Sequence, residues 1–77
     1  MNKYKTELFD VSFDEPTGQD RPSVTITHRK TEDYLEFFSL ASLCIEVDDL
    51  LQWGKLDAQE AIKVIHKSAS FFILNGD

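Results

Sequence analysis

The sequence predicts a small α+β domain of ββαα order, an antiparallel β-hairpin packed on an antiparallel αα-hairpin. Three observations predict it: apolar and polar residues alternate through the first 30 residues, apolar residues recur at helical spacing from residue 34 onward, and Gly54 divides that helical half. The 77 residues suffice for a single domain, residues 1–77. A chain of this size hides only about 60% of the surface its unfolded form exposes, so self-association is the expected way to complete the fold.

The first strand is expected over about residues 4–14, where Phe9, Val11 and Phe13 face one way and Asp10, Ser12 and Asp14 the other; Leu8 alone breaks the alternation. The second is expected over 23–30, with Val24 and Ile26 opposed to Thr25, Thr27 and Arg29. Between them the eight residues EPTGQDRP, 15–22, form a hairpin loop longer than a tight two-residue turn.

Thr31 is the expected N-cap of a helix over 31–53, with Glu32 and Asp33 in the first turn, where the helix dipole favours negative charge. In a straight helix Tyr34, Phe37, Phe38, Leu40, Ala41, Cys44, Ile45, Val47 and Leu51 share a broad apolar sector, and Leu35, Leu43, Leu50 and Trp53 fall outside it beside Glu36, Glu46 and Asp49. Asp48 falls inside that sector, which a break near Glu46 to Asp49 would relieve. Gly54 ends the helix as its C′ residue. A second helix is expected over 57–75, where Asp57 and Glu60 form a variant capping box and Leu56 with Ala61 a hydrophobic staple. Its core stripe reads Ala58, Ala61, Ile62, Ile65, Ala69, Phe72 and Ile73, with Phe71 projecting outward. The short Gly54-Lys55-Leu56 connection turns the two helices antiparallel.

Charge is distributed unevenly. The net charge is −6, and residues 31–54 hold six carboxylates and no Lys or Arg, so this segment carries all of it. With a pI near 4.7 and no basic cluster beyond His28-Arg29-Lys30, direct nucleic-acid binding is not expected, because phosphate neutralisation needs grouped Lys and Arg. No apolar run approaches the length of a membrane span, and the first ten residues lack the apolar core of a signal peptide, so the expected location is the cytoplasm.

Catalytic chemistry finds no carrier. There is no Gly-rich phosphate loop, GxSxG, CxxC or HExxH. Cys44 is unique, excludes an intrachain disulfide and reads as a small core residue. His28 ends a strand in an exposed setting, whereas His66 borders the second helix's core stripe. Two histidines 38 residues apart do not form a metal-ligand pair. No catalytic residue, cofactor or metal ligand is assigned, and the expectation is a protein that is not an enzyme.

What remains is surface. The expected function is that of an acidic interaction module, a homodimer, which binds and inhibits or otherwise modulates another protein. Its contact residues are Leu35, Glu36, Leu43, Glu46, Asp49, Leu50 and Trp53, with the loop Glu15 to Arg21 as a second contact. Size, acidity and lack of catalytic motifs make it similar to the small accessory and inhibitor proteins of phages and mobile elements, a likeness of composition without a motif. Two alternatives compete. Glu32, Asp33, Glu36, Glu46, Asp48 and Asp49 can mimic nucleic-acid phosphates in a basic groove of another protein. Phe37, Phe38, Phe71 and Phe72 can line a pocket between helices for a nucleotide or metabolite.

Overall fold

A computed structural model describes residues 2–18, 21–53 and 58–75 and shows an α+β fold in which helices cover one face of a four-stranded antiparallel sheet. The elements are β1 (Asn2–Lys5), β2 (Phe9–Asp14), β3 (Ser23–His28), β4 (Tyr34–Phe37), α1 (Leu40–Ile45), α2 (Val47–Trp53) and α3 (Ala58–Leu74). The strands run as a simple meander in the order β1-β2-β3-β4.

The expected strand over 4–14 is two strands joined by a tight turn. Leu8, the residue that broke the alternation, lies in that turn. There the Thr6 N–H donates to the Phe9 carbonyl at 2.9 Å, and the Phe9 N–H donates to Thr6 Oγ1 at 3.0 Å. β2 then pairs with β3 from Phe9↔His28 to Asp14↔Ser23, across the expected loop 15–22.

The helix expected over 31–53 does not start at Thr31. Residues 29–33 form the β3–β4 turn, in which Thr31 Oγ1 accepts from the Asp33 N–H at 3.3 Å and Glu32 takes a left-handed φ of 65°. Tyr34 to Phe37 alternate between outside and inside as β4. The N-cap is Ser39, whose Oγ accepts from the Ser42 N–H at 3.1 Å. Asx and Ser/Thr residues start turns and helices by the same local hydrogen bonds, so Thr31 and Ser39 were competing caps. The helix breaks where Asp48 required it: Glu46 leaves helical geometry at φ −96°, ψ 8°, and α2 opens with Asp48 and Asp49 in its first turn. The ββαα order is thus replaced by four strands and three helices. The expected Gly54 terminator, the Leu56 staple and the Asp57 cap lie outside the described residues, as does the terminal Gly76.

Phe9, Val11, Phe13, Val24, Ile26 and Phe37 face inward from the sheet, and Leu43, Leu50, Ala61, Val64, Phe71 and Phe72 close over them. α3 is rotated from its expected face. Ser68 is wholly buried, with its hydroxyl donating to the Val64 carbonyl at 2.8 Å, while Ile62 and Ile73 turn to solvent. Phe71 is turned inward as well, 5.3 Å from the Phe13 ring, and closes the end of the core instead of projecting.

Glu60, in the first turn of α3, ties the helix to the first hairpin: its Oε1 accepts from the Leu8 N–H at 2.6 Å. A charge-assisted bond to a partly buried amide is worth about 1.5–3 kcal/mol. Glu60→Ala should therefore lower unfolding free energy by about 1–3 kcal/mol, and Glu60→Gln, which keeps a carbonyl acceptor, by less. Urea unfolding at unchanged m-value reads both; a loss below about 0.5 kcal/mol for Glu60→Ala would show that the contact contributes nothing.

Candidate functional site

Among the described residues β1 and β4 are the edges of the sheet, and the β3–β4 ladder decides what the β4 edge offers. The His28 N–H donates to the Asp33 carbonyl at 2.8 Å, and the register pairs Ile26 with Leu35 and Val24 with Phe37. Antiparallel pairs alternate between hydrogen-bonded and non-bonded, so Asp33, Leu35 and Phe37 spend their backbone groups on β3. Tyr34 and Glu36 present theirs to solvent.

Beside this edge lies a shallow groove of about 220 Å³ lined by Leu35, Glu36, Phe37, Ser42, Ile45 and Glu46. Ile45 is 79% exposed and adds apolar surface to the Leu35 and Phe37 side chains of the groove. The Glu46 carboxyl is raised above its ordinary range, first by a hydrogen bond with the Asp49 side chain, then by burial and by the repulsion of the Asp49 charge. The two carboxylates therefore crowd together at the α1–α2 junction. Phe38, 45% exposed, follows β4, and its carbonyl accepts from Arg21 Nη2 at 3.4 Å. That bond connects the end of loop 15–22 to the same side of the molecule.

Of the contact residues read from the sequence, Leu35, Glu36 and Glu46 line this groove, and Asp49 stands against Glu46. Leu43 and Leu50 do not join them. Each is 1% exposed, because the helical phase was set from Tyr34, Phe37 and Phe38, and two of those belong to a strand. With that reference gone, α1 and α2 turn the opposite face inward and expose Cys44 and Ile45. The Trp53 side chain lies outside the described structure. Ile45 is the groove residue that the sequence reading assigned to the core; the Leu43 and Leu50 pair, seven residues apart, was the signal for the correct phase.

The six carboxylates of the acidic segment are divided among three places: Glu32 and Asp33 in the β3–β4 turn, Glu36 on the outer sheet face, and Glu46, Asp48 and Asp49 around the α1–α2 junction. The four phenylalanines expected to share a pocket do not. Phe37 and Phe72 are core residues at 2% and 0% exposure and Phe38 is outside, while Phe71 lines a separate open cavity of about 410 Å³ with Lys3, Tyr4, Phe13, Lys67, Ser70 and Leu74. The outer sheet face holds a third concavity of about 270 Å³, bordered by Lys3, Lys5, Asp10, Ser12, Thr25 and Thr27 among others. Here Asp10 Oδ1 lies 3.9 Å from both Lys5 Nζ and Arg29 Nε.

The histidines exchange their expected settings. His28 is half-buried, edge-on to Phe9 with ring centroids 5.7 Å apart, and its Nδ1 accepts from the Lys30 and Thr31 N–H groups at 3.3 and 3.4 Å. His66 is exposed. Among the described residues, no three His, Cys, Asp or Glu side chains are grouped to hold a metal ion, and no helix is long and apolar enough to cross a membrane. Comparison with protein-family models, curated proteins and solved structures finds no match.

Glu46 gives a direct test of the groove's electrostatics. A raised carboxyl pKa means that the folded state holds this proton more tightly than the unfolded one. Its contribution to stability is thus complete below the ordinary Glu range and is lost as pH rises through the folded value. In Asp49→Asn the Glu46 carboxyl should titrate at lower pH than in the wild type, read from its side-chain carbon shift by NMR. An unmoved titration would mean that Asp49 is not the cause.

Proposed function

We propose that the chain is a protein-interaction module that acts by binding, with the β4 edge and its acidic, apolar-floored groove as the contact surface. The observation that carries this reading is the convergence of Leu35, Glu36 and Glu46 with the exposed Ile45 beside an edge strand. Apolar side chains grouped at a solvent-facing groove and rimmed by charge are the composition of recognition surfaces. Modulation or inhibition of a cytoplasmic partner, in the manner of phage accessory proteins, fits a small acidic chain that offers one such surface. The nucleic-acid mimic is less well supported, because the carboxylates that would replace phosphates are divided among a turn, a sheet face and a helix junction.

Affinity capture with three forms of the chain tests the assignment. A protein retained by the wild type and by Lys63→Glu on α3, but lost by the double variant Glu36→Lys, Ile45→Asp, identifies the groove as the contact. Equal retention by all three forms would place the contact elsewhere. A mimic instead predicts binding that collapses with salt and ignores Ile45.

Homodimerisation is the second reading, and a different surface favours it. Ile62 and Ile73, 55% and 65% exposed, fall on one line of α3 with His66 and the partly buried Ala69 between them. Two such stripes can pair as antiparallel helices and leave the β4 edges free. The expected result is a salt-resistant dimer by light scattering that Ile62→Lys, Ile73→Lys converts to a monomer; a wild-type monomer at every concentration would refute it.

A further inference from the structure

The two sheet edges carry opposite charge. In β1 the register runs from Asn2↔Phe13 to Lys5↔Asp10, and the Thr6 N–H to Phe9 carbonyl bond at 2.9 Å fixes its phase. The unpaired backbone groups of that edge therefore belong to Lys3 and Lys5. In β4 they belong to Tyr34 and Glu36. Pairing β1 with β1 of a second copy sets lysines against lysines, and pairing β4 with β4 sets Glu36 against its own copy with Glu46 and Asp49 close by. Like charges across a strand pair are destabilising, and charged edge strands resist self-pairing. Head-to-tail pairing of β1 on β4 joins unlike edges, but it has no closed end and builds an open row of copies.

From this, and resting on the reading of the β4 edge as the contact surface, we propose that the partner docks there as an added strand: an extended segment in which Lys or Arg alternates with apolar residues. Each part follows from the geometry. A residue opposite Glu36 in an antiparallel addition exchanges both backbone hydrogen bonds with it and shares its outer face, where a basic side chain meets the carboxylate. The residues on either side point to the helical face and lie over Leu35, Phe37 and Ile45. Tyr34, 65% exposed, offers its ring to a second basic residue on the outer face. Strand addition of this kind takes affinity from the main chain and specificity from alternate side chains.

The probe is a fluorescein-labelled peptide in which three lysines alternate with two valines, together with two N-methylated forms, one methylated on the lysine amides and one on the valine amides. Antiparallel addition predicts binding by anisotropy that falls at least about tenfold on methylating the lysine amides and persists on methylating the valine amides. The reverse pattern means parallel addition and also supports an added strand. Glu36→Lys should weaken binding by at least about tenfold, Lys63→Glu should not, and the Tyr34 and Glu36 amides should gain protection from hydrogen exchange. Equal binding of all three peptides would overturn strand addition in favour of unstructured charge attraction. Perturbed amides in β1 with mass that grows with concentration would assign the edge to a second copy and overturn it too. If no peptide binds while the captured protein still depends on Glu36 and Ile45, the contact surface stands and strand addition falls. If neither depends on them, both fall.

Discussion

The described helices cover one face of the sheet, and most of the structure follows from that one-sided cover. A four-stranded sheet has two faces and two edges, and the described helices pack on the inner face. Every strand must therefore be two-sided. Phe9, Val11, Phe13, Val24, Ile26 and Phe37 supply the inner side, and Lys3, Lys5, Asp10, Ser12, Thr25, Thr27 and Glu36 supply an outer side that water can accept. Among the described residues no further strand pairs with either edge, and each edge carries charge.

The helical layer is uneven in how it is held. α3 has 17 residues and is fixed at its first turn by Glu60 on the Leu8 N–H and toward its end by Phe71 on Phe13. α1 and α2, at six and seven residues, are far too short to persist alone. They depend on Leu43 and Leu50, each 1% exposed; burial of such a side chain contributes about 1.5–3 kcal/mol. The part of the molecule that forms the groove is thus anchored by two leucines, with a like-charge pair at the joint between its helices. Asp48 and Asp49 there lie in the first turn of α2, where the helix dipole favours negative charge, while Glu46 and Asp49 keep like charge close together at the joint.

The strands around loop 15–22 were legible because period-2 alternation over six residues leaves little choice. β1 was hidden by its brevity, although Leu8 marked the turn by falling on the wrong side. The larger difference lies in residues 31–53. There a run of Tyr, Leu and Phe satisfies both periods, and Thr31-Glu32-Asp33 is as good a turn as a helix start. Taking it as helix carried the phase of Phe37 and Phe38 into residues 40–53 and inverted the buried face, so Ile45 was placed inside and Leu43 and Leu50 outside. Ser68 was missed for a different reason: a serine that bonds its own helix's carbonyl can be buried, but its polarity excludes it from a stripe counted in apolar residues. Glu36, Glu46 and Asp49 fall near one another beside β4, and the sequence could single them out because charge needs no helical phase to be noticed.

The same charge explains why the β4 edge differs from an ordinary guarded edge. The excess carboxylates all fall between residues 31 and 54, and they are divided among the β3–β4 turn, β4 and the α1–α2 junction, with Glu36 and Glu46 both lining the groove beside β4. At physiological salt a charge is felt over about 8 Å, so an approaching partner responds to the edge it nears and not to the net −6 of the chain. Near β1 it meets Lys3, Lys5 and Lys67; near β4 it meets Glu36, Glu46 and Asp49. A basic segment of the proposed kind would therefore be drawn to the β4 edge before backbone pairing began. Repulsion of that kind is enough to protect an edge, and the β1 edge needs nothing further. The β4 edge adds an aliphatic floor beside its free amides, and Ile45 protects nothing by being exposed. An edge that sets like charge against its own β4 copy and also keeps apolar surface in reach has the features that the proposed added strand would use.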